Sequence, residues 1–168
     1  MRFIKRKISD DISILTGEGV QYQNNIDPEG YNAVLSKTNN EIINYNDTAE
    51  ALEMAISSKR AEINVKRLEA MDSKVIFNTV EYDNNSSSRF AALGAIVNGQ
   101  IIGDGFSIDW IAKDDSKNTL NLSELISLGQ KMSARKEAAV YNANTHKVAV
   151  TQLTTVDEVS NYDFSGGW

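Results

Sequence analysis

Between Thr48 and Met71 the chain carries neither Gly nor Pro, and from Leu122 to Leu153 it carries only Gly129. Stretches of this length without a breaker, with apolar residues three and four apart, read as helices. In the first, Leu52, Ile56, Ile63 and Ala70 form one stripe, and Met54, Ala61, Val65 and Leu68 a second. In the second, the stripe is Leu125, Leu128, Met132, Ala139, Ala143, His146, Val150 and Leu153. Each opens on a capping-box spacing, Asp47-Thr-Ala-Glu50 and Asn121-Leu-Ser-Glu124, in which the first side chain caps and the Glu reaches back. Any fold for this chain is built around two long helices.

The remainder is shorter and richer in strand signals. Met1–Gln23 alternates as two short strands around the polar turn Ser9-Asp10, and Gly17-Glu-Gly19 ends the pair. Asp27-Pro28 starts a short helix running to about Lys37, because Pro at the first helical position forfeits no intrahelical bond. Asn39-Asn40 breaks that helix, Glu41–Tyr45 reads as a further strand, and Asn44–Asp47 is a polar boundary. Lys74–Tyr82 predicts a hairpin turning at Asn78-Thr79, a weaker turn than Asn-Gly. The serines of Asp83–Ser88 can cap a small apolar helix, Arg89–Val97, stopped by Asn98-Gly99. A second hairpin places Phe106, Ile108 and Trp110 on one face, turns at Asp114–Asn118 and returns through Thr119-Leu120.

Chemistry is sparse. There is no Cys, so no thiolate ligand, Cys nucleophile or disulfide framework, and one His excludes any site needing two imidazoles. The net charge of −6 leaves no cationic surplus for phosphate binding, so Lys59, Arg60, Lys66 and Arg67 read as a solvated helix face, not a nucleic-acid site. No apolar run is long enough to cross a bilayer. His146 lies on an apolar stripe, as a packed or interface histidine does. Asp109, Asp114 and Asp115 cluster near a turn and are the one possible acid pair or metal loop, but the turn lacks the alternating oxygens and glycine of a calcium loop. Gly99–Gly105 has no Lys-Ser/Thr after it and so is no phosphate loop, and Ser86–Ser88 lacks the glycines of a nucleophile elbow. These readings predict no enzyme, no cofactor and no metal. Phe164 and Trp168, in a tail that ends Ser-Gly-Gly-Trp, are candidate partner-binding residues, with plain disorder of the tail as the alternative.

From about Ala61 onward the chain resembles a domain of unknown function that is widespread in tailed-bacteriophage tail proteins, typically towards the C-terminus of tail-fibre-assembly and other tail accessory proteins. The likeness rests on the charged helix Ala61–Ala70, the β-rich Val75–Asp83, Ser88-Arg89 opening a small-residue helix, and Tyr141–Lys147. Its most specific parts are Phe106-Ser-Ile-Asp-Trp-Ile-Ala-Lys-Asp114 and Leu120-Asn-Leu-Ser-Glu-Leu-Ile-Ser-Leu-Gly129. Asn121 stands where that family usually has Thr, and Asn78-Thr79 where Asn-Gly is common. The resemblance implies a virion-tail protein, made in the host cytoplasm, whose partners are other tail or fibre subunits or copies of itself in a three- or six-fold assembly. A fibre-assembly chaperone is the alternative that it implies.

The expectation is therefore an α+β fold. Residues 1–46 form a small β-containing attachment module. Residues 47–156 form a leading helix and a C-terminal domain of two β-hairpins packed with two helices, and 157–168 form a flexible tail. The expected core includes Leu93, Ile96, Ile108, Trp110, Leu125, Leu128 and Met132. Gly129 costs about 1 kcal/mol against Ala within a helix, so it should permit close packing against the preceding helix or the Trp110 strand.

Overall fold

A computed structural model describes residues 2–7, 13–17, 20–24, 26–36 and 41–168. The chain is α+β and separates into two units. One comprises residues 1–60 with 150–162, the other 61–149 with 163–168. The division falls at Arg60, inside the first long helix, instead of at the polar stretch ending at Asp47.

In the first unit the strands β1 (Arg2–Lys7), β2 (Ser13–Gly17), β3 (Val20–Gln23) and β4 (Glu41–Asn44) form one sheet of order β3-β2-β1-β4. β1, β2 and β3 are antiparallel neighbours, whereas β4 lies parallel to β1, with Phe3 opposite Ile42. A parallel neighbour needs a crossover, and helix α1 (Pro28–Ser36) supplies it. Phe3, Leu15, Tyr31 and Val34 are buried together, with Ile42 against them. Gly17 closes β2 because a Cβ there would lie 2.5 Å from the Arg2 carbonyl oxygen. Sequence reading missed β3 as a separate strand. The turns at Ser9-Asp10, Glu18-Gly19 and Asn39-Asn40 lie outside the described residues.

One turn of 3-10 helix, Tyr45–Asp47, leads into α2 (Ala49–Met71). Here the cap differs from expectation. Thr48 Oγ1, not Asp47, accepts the Ala51 N–H at 3.2 Å, while Asp47 accepts from the Asn44 amide at 3.3 Å. Ala51, Ile63 and Ala70 are buried, but Met54, Val65 and Leu68, on the second stripe, are exposed.

The second unit continues with β5 (Val75–Phe77), β6 (Val80–Tyr82), α3 (Ser86–Ile102), β7 (Ser107–Ile111), β8 (Lys117–Asn121) and α4 (Leu122–Thr151). Both hairpins form. Asn78 and Thr79 have φ of 48° and 67°, the type I′ geometry that matches strand twist. The Asn121–Glu124 capping box is reciprocal, with both N–H···O distances 3.0 Å.

α3 corrects two expectations. Asn85 caps it, accepting from the Ser88 N–H at 2.9 Å, so the serines occupy its first turn. It runs past Asn98-Gly99 to Ile102 and ends at Gly103, with φ 79°. Gly99 serves contact instead of termination: a Cβ there would sit 2.8 Å from both Leu122 and Phe106 carbons.

The core joins Val75, Phe77, Tyr82, Phe106, Leu120, Leu125, Leu128 and Met132, with Ile96, Ile108 and Trp110 packed against it. Trp110 and Leu125 thus share one cluster, as expected. Leu93 does not belong to it and is exposed, since it lies off the side of α3 that carries buried Ala92 and Gly99. A Cβ on Gly129 would come within 2.9 Å of Ile96, so this glycine lets α4 approach α3.

The C-terminal end of α2 is held by cations from elsewhere. Arg89 donates to the carbonyls of Met71 (2.9 Å) and Asn84, and pairs with Asp72 at 3.2 Å. Buried Asn84 donates to the same Met71 carbonyl at 3.0 Å, and Arg135 Nε donates to Ser73 Oγ at 2.7 Å. Positive charge at a helix C-terminus satisfies orphan carbonyls and the helix dipole together.

Candidate functional site

The acidic cluster is committed to its own hairpin. Asp109 lies on the exposed face of β7, 2.7 Å from Lys117 Nζ, and accepts from Thr119 Oγ1 at 2.7 Å. These bonds, Lys117 first, hold its carboxyl below the usual range. Asp114 accepts the Ser116 N–H at 3.1 Å and is lowered chiefly by hydrogen bonding to Ser116. Asp115 has φ 65° in the turn itself. Among the described residues no three His, Cys, Asp or Glu side chains gather as a metal site. Gly103 and Gly105, with φ of 79° and 86°, make the turn from α3 into β7.

The basic face of α2 is partly engaged. Lys59 Nζ donates to the Ser160 carbonyl at 3.1 Å, and Lys66 pairs with Glu69 at 3.4 Å. Among the described residues no helix is long and apolar enough to cross a membrane.

The residues expected to form a flexible tail are folded. Val156–Ser160 form the short helix α5, which opens on a capping box between Thr155 and Glu158. Beyond it, Trp168 stacks on His146 of α4 with ring centres 5.7 Å apart, and Phe164 meets the same imidazole edge-on at 6.4 Å. Trp168 Nε1 donates to the Phe164 carbonyl at 2.6 Å, and Asn142 Nδ2 to that of Gly166 at 3.0 Å. Asp163 accepts from Ser165 at 2.8 Å, which lowers its carboxyl, with a smaller contribution from His146. Both candidate partner residues are therefore half-buried against His146. Gly166-Gly167, which suggests a loose tail, supplies the positive φ of 84° at Gly167 that turns the chain back.

What the second unit offers outward is apolar helix surface. On α3, Phe90 and Ile101 are each 78 % exposed, and Leu93, Val97 and Ile102 are exposed beside them. Beside this face a groove of about 460 Å³ lies between α3 and α4, lined by Leu93, Ile96, Gly129 and Met132 among others. Sequence reading missed this surface because the Phe90–Val97 stretch of α3 carries no polar residue on any side. A helix of that kind is ordinarily covered all round, and that pattern is the signal that could have found it.

This architecture, two hairpins packed with helices, defines a small α+β domain. Residues 54–165 match the family described as a domain of unknown function, DUF4376, and the chain belongs to that family. No curated protein and no solved structure matches it.

Proposed function

We propose that the chain is a structural or adaptor component of a bacteriophage tail (fibre, baseplate or tail tip) and acts by binding other proteins. The observation that carries the binding half of this reading is the outward face of α3. Large apolar side chains left in water along one helix are costly unless a partner covers them. The tail context rests on the resemblance of Ala61–Lys147 to tail accessory proteins. In this reading the residues that recur in the resemblance are caps, turns and core positions such as Asn121, Trp110 and Gly129, while contact is left to the surface. Phe164 and Trp168, braced on His146, form a second, smaller contact through their remaining exposed edges.

The test is quantitative mass spectrometry of purified particles of the phage that encodes the chain. The chain is expected in the particle at a multiple of three or six copies. Absence from the particle, together with soluble fibre trimers that appear only on co-expression, would make it an assembly chaperone instead. Absence without any effect on fibre folding would remove the tail reading altogether.

A further inference from the structure

We infer that α3 pairs with α3 of a second copy of this chain, antiparallel and about a two-fold axis that crosses the outward face midway between Gly94 and Val97. This deepens the protein-binding reading and names the partner of that surface. Three observations converge on it. The first is register. The outward face runs Phe90, Gly94, Val97, Ile101, a spacing of four, three and four that reads the same in either direction. Reversed upon itself, it sets Phe90 against Ile101 and Gly94 against Val97, the self-complementary pattern that an isologous contact requires. Apolar residues alternating three and four apart also make the seam along which two helices interlock.

The second is space. A Cβ on Gly94 would meet nothing within 4 Å, so this glycine is not explained by packing in its own protomer, unlike Gly99 and Gly129 on the same pair of helices. A glycine opposite Val97 lets two helix backbones approach closely. The third is charge and area. Arg89 is the only charged residue from Ser86 to Ile102, so a copy brings no row of like charges against α3. Phe90, Leu93, Val97, Ile101 and Ile102 are 78, 57, 46, 78 and 59 % exposed. Together they offer on the order of 400 Å² of apolar surface. Doubled by symmetry and completed by a polar rim, that amounts to roughly 1,300 Å², within the range of stable interfaces.

The test uses the full chain. Sedimentation equilibrium at tens of micromolar is expected to show twice the 18.6 kDa chain mass. Ile101→Glu is expected to weaken association about a hundredfold or more, because the change enters a symmetric interface twice. Circular dichroism checks that the variant stays folded. Register is read by disulfides, since the chain has no Cys of its own. Mixing a Phe90→Cys chain with an Ile101→Cys chain should give mixed disulfides well in excess of either self-disulfide. A monomer at these concentrations, a dimer indifferent to Ile101→Glu, or predominant self-disulfides would each overturn the pairing. A monomer that still enters phage particles would overturn the pairing alone, whereas a disulfide-mapped dimer absent from particles would leave it standing and remove the tail reading.

Discussion

Alanine substituted for Gly94 and for Gly99, both within α3, is expected to change stability in opposite directions. In a helix interior Ala is favoured over Gly by about 0.5–1 kcal/mol through backbone entropy alone. At Gly94 nothing lies within 4 Å of the new methyl, so the protomer keeps the whole gain. At Gly99 the methyl would lie 2.8 Å from Leu122 Cδ1 and from Phe106 Cδ1 and 2.9 Å from Phe106 Cε1. Carbon atoms settle at about 3.5–4.0 Å, so a ring that is only 9 % exposed must retreat into the core that it fills. Forcing a methyl into packed surroundings costs about 1–3 kcal/mol. Subtracting the helical gain leaves Gly99→Ala destabilised by about 1 kcal/mol, and the two variants about 2 kcal/mol apart. For a chain of this size that is a separation of roughly 4–8 °C in Tm. The assay is thermal and urea unfolding, followed by helix ellipticity and Trp fluorescence, at concentrations low enough that protomers do not associate. Equal stabilisation by both alanines would refute the contact assigned to Gly99.

Further outcomes are open to direct measurement. Thr79→Gly should raise stability by about 1 kcal/mol, because a β-branched residue at φ 67° is strained and Gly is not; a lowered Tm would show that the turn needs the threonine. Arg89→Met should cost about 1–3 kcal/mol by stranding the Asn84 carbonyl, while the Met71 carbonyl keeps its bond from the Asn84 side chain, read as a drop in the urea midpoint. Glu158 is held below its ordinary value first by the Thr154 N–H, then by Thr155. Its carboxylate therefore supports α5 fully above the ordinary carboxylate range, and that support is lost as pH falls through the lowered folded value. Amide protection at Thr154 and Thr155 should fade in acid in the wild type, and Glu158→Ala, which removes the acceptor, should abolish it already at neutral pH. Trp168→Ala should free residues 163–167, giving faster exchange of the Asn142 side-chain amide that bonds Gly166.

The elements that repeat a local signal were legible in the sequence. α2 and α4 were marked by their lack of breakers, the second hairpin by alternation through Trp110, and the start of α4 by reciprocal Asn121 and Glu124. The departures share a cause, namely residues whose role is fixed by distant neighbours. Gly99 looks like a helix stop and is a contact for Phe106, which makes α3 longer than its local pattern suggests. Leu93 looks like core, but the Phe90–Val97 stretch has no polar residue to declare which side is buried. The parallel pairing of β1 with β4 depends on a crossover that no short window records. Of the candidate site, Phe164 and Trp168 were identifiable as unusual, but their seat on His146 was not. Nothing in sequence links them to a helix position so far upstream.

The bonds that finish α2 order events in time. Met71 leaves the ribosome 18 residues ahead of Arg89, and Ser73 leaves 62 residues ahead of Arg135. At about 5–20 residues per second, the last turn of α2 waits on the order of a second for its first guanidinium and several seconds for the second. Until Asn84 and Arg89 emerge, the Met71 carbonyl at its end is left to water. The end of α2 is thus a late-closing joint in vectorial synthesis, sealed from behind by chain that has yet to be translated.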